Sequence, residues 1–456
     1  MRTKFVSVLA LLFLINVHAQ KKIWSLQECI NYALDNNISI KQQELNNQLV
    51  EENITTAEGN FYPSLNASAS QNFNFGSFID INGGRVSKDS RSNNFSLSTS
   101  VTVFNGFRNK YNLLQAKKQL QAAGFDLQEN KNNIMLYVVN SYLNVLLAKE
   151  NIIIAQDQVD ISKNQVEKAK DLVAAGSSAK AALLEAEASK ASNDEKLTNA
   201  KNSLDLALLS LSQLLQVSNK GFDVEDVKLN IDSASLLYND TDAIFNKAQT
   251  ILPEIKSAEL GVENAATSLK IAKSWQYPSL SFGAGVGTGY QHYQGSKDVR
   301  TIIDPNTNLP VIVPNGFGQQ LSDNLGYNFG FSLNIPIFNG FQTKVGINKA
   351  KINQDKANLQ LLDKKLKLRE SIERAYADAK ASLNQYIAAK KSLDAQNESF
   401  KNAQESYNSG VMNFFDFDQV RNRLVSAKSS MINAKYNYVF RTKLLEYYYG
   451  IPIVVE

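Results

Sequence analysis

Two stretches of the chain alternate polar and apolar residues, and each is followed by a much longer helical pattern. In the first stretch the apolar or Thr positions, on both sides of a polar loop at 76–93, are Leu65, Ala67, Ala69, Phe73, Phe75, Phe95, Leu97, Thr99, Val101 and Val103. Successive side chains of a strand point to opposite faces. This period of two therefore predicts a strand hairpin over 64–104.

The alternation returns over 279–338 and predicts a second hairpin. Its positions on the apolar face are Leu280, Phe282, Ala284, Val286, Thr288, Tyr290, Leu325, Tyr327, Phe329, Phe331, Leu333, Ile335 and Ile337. The opposite face of both hairpins carries mainly Ser, Asn and Gly. The loop at 291–323 is longer than its counterpart in the first hairpin, and the sequence leaves its orientation open.

The apolar faces of the four predicted strands carry no charged residue. In a membrane barrel one face of each strand meets lipid and the other meets water, with about 9–11 residues per crossing. The pattern therefore predicts lipid contact. A soluble β-sandwich is the alternative, but strands this rich in Ser and Gly would cover little of the long helices. Because single-chain barrels begin at about eight strands, several copies must contribute in a cyclic homo-oligomer.

Each hairpin ends in the same tetrapeptide, Phe104-Asn105-Gly106-Phe107 in the first half and Phe338-Asn339-Gly340-Phe341 in the second. Asn105 is the predicted N-cap of the following helix, and Gly106 relieves the steric cost of a sharp turn. After Gly106 the chain continues to about Val173 with no Pro and a single Gly. At about 1.5 Å per residue, this run predicts a helical rod on the order of 100 Å long.

Shorter helices precede each hairpin, and a second long helix follows each turn. The first long pair of helices is predicted over 106–216 and the second over 340–448. Two shorter helices open the first half: one ends at about Asp35, and the other extends from about Ile38 to Asn60. Ser25 and Glu28 have the spacing of a capping box at the first of these. The apolar residues that suggest a short strand after the first pair are Phe222, Val224, Val227 and Leu229.

The second half of the chain repeats the first. At an offset of 215 residues the halves align without a gap up to the Tyr-Pro-Ser-Leu segments that contain Pro63 and Pro278. From the Phe-Asn-Gly-Phe segments onward the offset is 234, since the second hairpin has the longer loop. The sequence therefore predicts an internal duplication, with repeats at 20–235 and 236–456 that jointly form one protomer.

The N-terminus has the features of a secretory signal peptide at 1–19. Arg2 and Lys4 precede an apolar core at 5–17, and a small-residue cleavage site ends at Ala19. This core is too short to span a bilayer, and no later segment reaches 18 consecutive apolar residues. We expect no lipoprotein anchor, because Cys does not follow the cleavage site.

The exported chain offers little for catalysis or nucleic-acid binding. It would retain one His, His292, and one Cys, Cys29, which argues against Cys/His metal sites and against Ser–His or Cys–His catalysis. Without 1–19 it has 46 basic and 44 acidic residues, a net charge of about +2, and gives no sign of a nucleic-acid partner. The alternating glycines of 283–289 lie in a predicted strand with no helix behind them, which excludes a dinucleotide loop. We expect no enzyme activity, metal or cofactor.

Two carboxylates, Asp416 and Asp418, follow the turn of the second helix pair. Around a symmetric ring they would form a negative collar that favours cations at a constriction. They would also stabilise the N-terminus of the returning helix through its dipole. The sequence leaves both roles open.

The whole mature chain resembles the family of TolC-like outer membrane efflux proteins. The resemblance rests on an ordered series of motifs: Trp24-Ser25-Leu26-Gln27-Glu28-Cys29, Ala33-Leu34, Asn36-Asn37, the paired Tyr-Pro-Ser-Leu and Phe-Asn-Gly-Phe segments, Tyr142 with Tyr376, and Gly176 with Gly410. It implies an α+β membrane protein that forms a homotrimer in the outer membrane. Four strands per chain would build a twelve-stranded barrel, and the long helices would build a periplasmic α-barrel.

The resemblance also implies partners: a periplasmic adaptor (membrane fusion) protein, and an inner-membrane transporter of RND, ABC or major-facilitator (MFS) type. The tip residues implied at the adaptor contact are Gly176, Ser177, Gly410 and Val411, and those implied at the periplasmic aperture are Tyr407, Asp416, Asp418 and Gln419.

The chain departs from the family pattern at two positions. Relatives carry an acid where this chain has Ala182, so the first half lacks the acid that Tyr407 would bond, and a further family acid is matched by Gln419.

These inferences converge on one main hypothesis. The chain is expected to be an outer-membrane exit duct of a tripartite efflux or type I secretion system, which passively conducts substrates from an inner-membrane pump and its adaptor. The strand–helix junctions at Pro63, Pro278 and the two Phe-Asn-Gly-Phe segments would mark the periplasmic boundary of the membrane. The alternative is an exported coiled-coil spacer or adhesin without channel activity.

Overall fold

The computed structural model describes residues 22–79, 84–87, 89–227 and 240–451. The predicted signal peptide lies outside these ranges, as does Leu229 of the suggested strand. The helices are α1 (Leu26–Asn36), α2 (Ile38–Gly59), α3 (Arg108–Ala174), α4 (Lys180–Leu215), α5 (Thr241–Ile251), α6 (Pro253–Ser274), α7 (Phe317–Asp323), α8 (Gln342–Asn408) and α9 (Phe414–Tyr449). The strands are β1 (Ile23–Trp24), β2 (Ser64–Asn74), β3 (Ser77–Ile79), β4 (Arg85–Ser87), β5 (Ser90–Phe104), β6 (Asp223–Val224), β7 (Ser279–Tyr293), β8 (Val299–Ile303), β9 (Pro310–Pro314) and β10 (Gly326–Asn334).

Long helices dominate the fold. Helices α3 and α8 have 67 residues each, and α4 and α9 have 36 each. Average globular helices have three to four turns, so these lengths are exceptional. Within the described ranges, none of the helices combines the length and the apolar composition that a membrane crossing requires.

The chain divides into two compact units. The first comprises Met1–Asn47, Ala123–Ala258 and Leu361–Glu456, and the second comprises Gln48–Ala122 and Glu259–Gln360. The hydrophobic core of the first unit surrounds the fully buried Tyr142, whose hydroxyl donates to the carbonyl of Glu225 at 3.0 Å. Beside it β1 pairs in parallel with β6, and Lys149 binds Asp223 and Asp226 at 2.9 and 2.7 Å.

The second unit contains a four-stranded antiparallel sheet in the order β10–β7–β5–β2. Ala67 lies opposite Leu97 in the first hairpin, and Phe282 lies opposite Phe331 in the second. The repeat offset of 215 residues relates Ala67 to Phe282, and the offset of 234 residues relates Leu97 to Phe331. The two hairpins therefore have equivalent registers. Among the described residues, β2 and β10 are each paired along one edge only.

Several predicted boundaries differ from the structure. Strand β10 ends at Asn334 instead of continuing to 338. Asn334 lies opposite Ser279, where the partner strand β7 begins, and Pro336 has no N–H to continue a ladder. Strand β5 begins at Ser90, where its pairing with β2 and β7 starts, and this adds Arg91 to the apolar face that was expected to carry no charge. The loop expected from 291 onward begins only after Tyr293.

Candidate aperture, junctions and membrane face

The two turns between long helices have the same backbone conformation. Gly176 and Gly410 have φ of +71° and +76°, a region that glycine enters without strain. The N–H of Ser177 donates to the carbonyl of Leu172 at 2.8 Å, and the N–H of Val411 makes the equivalent bond to Ser406 at 2.9 Å. Together with the bonds of the two glycine amides, these form the Schellman arrangement that ends helices.

Apolar side chains are exposed at the second turn. Val411 is 83% exposed and Phe415 is 68% exposed. Ser177 and both turn glycines are also exposed. The second turn therefore presents two apolar side chains at the surface.

Asp416 and the N-cap residue Asn413 form reciprocal hydrogen bonds at the start of α9. Asn413 is the N-cap of α9, and its Oδ1 accepts the backbone N–H of Asp416 at 2.9 Å. The Asn413 Nδ2 donates in return to the Asp416 carboxylate at 2.8 Å. The carboxylate is exposed in the first turn of the helix, where the helix dipole favours negative charge.

Asp418 is neutralised by a buried arginine. Its carboxylate forms an ion pair with Arg421, which is only 1% exposed. Arg421 also donates to Gln165 Oε1 of α3 at 2.8 Å and to Ser189 Oγ of α4 at 3.1 Å. Burial lowers the pKa of Arg421, and the charge of Asp418 acts against that shift. This network joins three helices of the first unit.

Sequence reasoning missed Arg421, Gln165 and Ser189. The spacing of Asp418 and Arg421 at i and i+3 is a local signal for an ion pair. However, the other two partners lie 256 and 232 residues away in the chain, and no local pattern connects them.

The remaining predicted aperture residues have mainly local contacts. The ring of Tyr407 stacks on Phe417 at 4.7 Å between centroids, and the ammonium group of Lys168 lies 4.3 Å from its centre. Burial raises the pKa of Tyr407. Gln419 is exposed and accepts a hydrogen bond from Arg423 at 3.1 Å, one turn further along α9.

The two strand–helix junctions have nearly identical geometry. The rings of Phe104 and Phe107 meet edge to face at 5.4 Å and 87°, and those of Phe338 and Phe341 meet at 5.5 Å and 88°. The helices begin two residues later than predicted, so Asn105 is not the N-cap residue itself. Its Oδ1 nevertheless accepts the N–H of Asn109 at 3.3 Å inside the first turn, and Asn339 bonds Thr343 in the same way at 3.4 Å.

The junction glycines differ in their surroundings. A Cβ on Gly106 would lie 2.6 Å from the carbonyl oxygen of Ser274 and 2.8 Å from Cβ of Tyr277. A Cβ on Gly340 would meet none of the described residues within 4 Å. Pro278 separates Tyr277 from the first residue of β7, and Pro63 occupies the equivalent place before β2.

The apolar face of the sheet is exposed. Tyr327, Phe329 and Phe331 of β10 are 84%, 80% and 70% exposed, so the described part of the chain places no core over them. An exposed apolar patch of this kind marks a surface that contacts lipid or another protein. The glycines of 283–289 lie inside strand β7 on the other face of the sheet. Among the described residues, no group of three or more His, Cys, Asp or Glu could hold a metal ion.

The fold thus combines an exposed apolar sheet with two helices of 67 residues. The chain belongs to the outer membrane efflux protein family, whose model matches residues 29–216 and 245–446. Members of this family are channel proteins of the outer membrane rather than enzymes.

Comparisons with individual proteins agree with this assignment. Outer membrane protein TolC of Escherichia coli strain K12 is 24% identical over 257 residues, which are 55% of this chain and 48% of that protein. The chain thus spans about half the length of that curated relative in the match. The structure of CusC has a TM-score of 0.76 at 18% identity. The match covers 94% of this chain and 92% of the CusC chain. The open-state MtrE outer membrane channel of Neisseria gonorrhoeae has a TM-score of 0.72 at 20% identity. That match covers 93% of this chain and 89% of the MtrE chain. At these identities the likeness shows a shared fold.

Proposed function

We propose that three copies of the chain form an outer-membrane exit duct with no catalysis of its own. The observation that carries this proposal is the four-stranded sheet, which has an exposed apolar face and two edge strands with one unpaired edge each. Twelve strands would close a barrel, because lipid provides no partner for an open backbone edge. The long helices would then extend the duct through the periplasm.

The internal duplication supports a specific register between copies. Within the chain, β5 pairs with β7, and Thr99 lies opposite Ala284. Strand β10 is the repeat of β5, and β2 is the repeat of β7. If the interface between copies repeats the contact inside the chain, Leu333 of one copy lies opposite Ala69 of the next.

Disulfide crosslinking tests both the trimer and this register. In a Cys29→Ala background, the pair Leu333→Cys with Ala69→Cys should give a covalent trimer on oxidation in membranes, because directly opposed positions have Cβ atoms about 5 Å apart. The control pair, Leu333→Cys with Gln71→Cys, is displaced by two residues on the same face and should crosslink weakly. Dominant crosslinking of the control pair would refute the register, and monomers from both pairs would refute the closed ring.

The duct is proposed to work with a periplasmic adaptor and an inner-membrane transporter of RND, ABC or MFS type. Exposed Val411 and Phe415, together with the turns at Gly176 and Gly410, support an adaptor contact at the helical tips. A photo-crosslinking residue at Val411 should capture the adaptor in intact cells. The same probe at Glu398, about 18 Å along α8 from the turn, is the control and should capture it much less.

We propose that Asp416, without Asp418, forms the negative collar around the aperture. Asp418 is excluded because Arg421 neutralises its charge. Asp416→Asn removes an exposed charge and should lower the preference of the reconstituted channel for cations over anions. The matched control is Glu398→Gln, which removes the same charge away from the turn. If the Asp416 variant conducts with unchanged ion selectivity, the collar is refuted while the duct remains.

A coiled-coil spacer or adhesin would leave the apolar sheet face without a partner. Extraction separates the two functions, since a spacer would leave the membrane in urea or high salt and a duct would require detergent. Ser, Asn and Gly on the opposite face of the sheet define no particular substrate class.

A further inference from the structure

We propose that the loop between β7 and β10 is a membrane-contacting arm. One face of its hairpin, formed by β8 and β9, would lie in the boundary between lipid headgroups and acyl chains, outside the sheet. This inference rests on the proposed outer-membrane location of the sheet. It assigns a lipid-binding surface to a segment whose orientation the sequence left open.

The loop lies on the apolar side of the sheet. Thr288 and Tyr290 of β7 have the same parity as Leu280 and belong to its apolar face. The Thr288 hydroxyl donates to the carbonyl of Leu321 in α7 at 2.6 Å, and the ring of Tyr290 meets Phe317 of α7 edge to face at 5.1 Å. Helix α7 is therefore packed on the face that would contact lipid, away from the polar face.

Side-chain amides fix α7 beside β7 where β10 no longer pairs. The backbone N–H of Gln291 donates to Gln320 Oε1 at 3.0 Å, and Gln320 Nε2 donates to the carbonyl of Gln291 at 3.1 Å. The amide of Asn324 donates to the carbonyl of Gly289 at 2.6 Å. These bonds replace ladder bonds along the edge of β7 and hold the loop against it.

The start of the hairpin is held on the same side. Asp298 immediately precedes β8 and accepts the hydroxyl of Tyr290 at 2.8 Å. His292, also on the apolar-side parity of β7, bonds Asp298 through Nδ1 at 2.8 Å. The hairpin therefore leaves the sheet from its apolar face.

The two faces of the hairpin differ in charge. Arg300 forms an ion pair with Asp323 at the end of α7, so the face of Arg300, Ile302 and Val311 is turned toward the helix. The opposite face points away from the helix and consists of Val299, Thr301, Ile303, Pro310, Ile312 and Pro314. This outer face has no charged residue. Ile312 is 69% exposed, compared with 40% for its neighbour Val311.

The hairpin lies at the height expected for the membrane surface. Leu280, next to the junction, and Tyr290 are ten residues apart on β7, which is about 33 Å along a strand. With the 35–45° tilt of barrel strands this gives a rise of about 25 Å, the height of the apolar band of outer-membrane barrels. Tyr290, Phe317 and the attached hairpin are then at the outer boundary, where aromatic girdles lie.

A lipid surface is the occupant that fits this face. The hairpin projects on the lipid side, and the acids around it have partners in the chain. Asp298 binds Tyr290 and His292 of β7, Asp304 accepts the N–H of Asn306 in the hairpin turn at 2.8 Å, and Asp323 pairs with Arg300. Lys297 is exposed at the base of the hairpin, where it would meet anionic headgroups. An amphipathic element at this level buries its apolar face about 5–10 Å into the interface.

Site-specific fluorescence tests the arm. In the Cys29→Ala background, an environment-sensitive probe is attached at Ile312→Cys and, in a second protein, at Val311→Cys. Both trimers are reconstituted in phosphatidylglycerol-containing vesicles with a lipid-borne quencher or with iodide in the water. We expect about twofold more lipid quenching at 312 than at 311, with the opposite order for iodide, because only the outer face enters the interface.

A probe at Phe329→Cys separates this inference from the proposed function. Lipid quenching at 329 but strong iodide quenching at 312 would overturn the arm and leave the duct intact. Iodide quenching at 329 would overturn the membrane location of the sheet itself. A probe at 312 that is shielded from both quenchers would show that protein, such as a second copy, covers the face, and would also refute the lipid contact.

Discussion

Asp418→Asn tests whether the polar network around Arg421 holds α3, α4 and α9 together. Arg421 is among the largest fully buried side chains of the described residues, and Asp418 is its only charged partner in that network. Asparagine preserves the shape of the side chain and can still accept a hydrogen bond. The substitution therefore removes mainly the compensating charge.

The expected cost follows from burial. Removing one partner of a buried ion pair typically costs about 3–5 kcal/mol, because the remaining charge is left uncompensated. The Asp418 side chain is 22% exposed, so solvent offsets part of this, and we expect about 3 kcal/mol. Replacing both residues, with Asp418→Leu and Arg421→Met, should cost much less than the sum of the single changes.

Hydrogen exchange of the purified protein in detergent measures this cost locally. About 3 kcal/mol corresponds to a roughly 100-fold increase in exchange for amides of α3, α4 and α9 near the network. The control is Glu370→Gln, which breaks an exposed Arg374–Glu370 pair of 2.9 Å and should change exchange by threefold or less. If Asp418→Asn behaves like this control, the charge of Arg421 is compensated by solvent and the reasoning is wrong.

Two further perturbations test other parts of the fold. Gly106→Ala and Gly340→Ala both place a side chain at positive φ, at a cost of about 1 kcal/mol each. Among the described residues, only Gly106→Ala creates clashes, with Ser274 and Tyr277. We therefore expect a lower thermal stability of the protein for Gly106→Ala, and equal stabilities of the two variants would contradict the contact geometry. Burial raises the pKa of the Cys29 thiol to about 12. At pH 8 the native protein should therefore resist a thiol reagent that labels Cys29 at once in denaturant. Rapid labelling of the native protein would show that the core around Cys29 opens.

Local sequence patterns were informative where neighbouring residues determine the backbone. The alternation that starts at Ser64 predicts a strand, and the structure has β2 at Ser64–Asn74. The long Pro-free run after Gly106 predicts a long helix, and α3 ends at Ala174. In both cases the periodicity of side chains along one element carries the information.

Features built by distant residues were not accessible in this way. The position of the long loop depends on Gln320, whose amide replaces a strand partner for Gln291, and glutamine has no strong preference that would indicate this. Arg421 is fully buried only because Gln165 and Ser189 approach it from two other helices. The early end of β10 is foreseeable from the sequence, because Pro336 interrupts the alternation and has no N–H for a ladder.

The unpaired edges of β2 and β10 have a consequence for biogenesis. A lone protomer in hydrocarbon would leave about half of the backbone groups of these strands without partners, and each such group costs several kcal/mol. Under the proposed duct, a single chain cannot complete insertion by itself. Assembly and membrane entry must then be one concerted event, whose rate depends on the periplasmic concentration of unassembled subunits. A dominant-negative effect would follow from any variant that retains one competent edge and lacks the other, because it could join a growing ring but never close it.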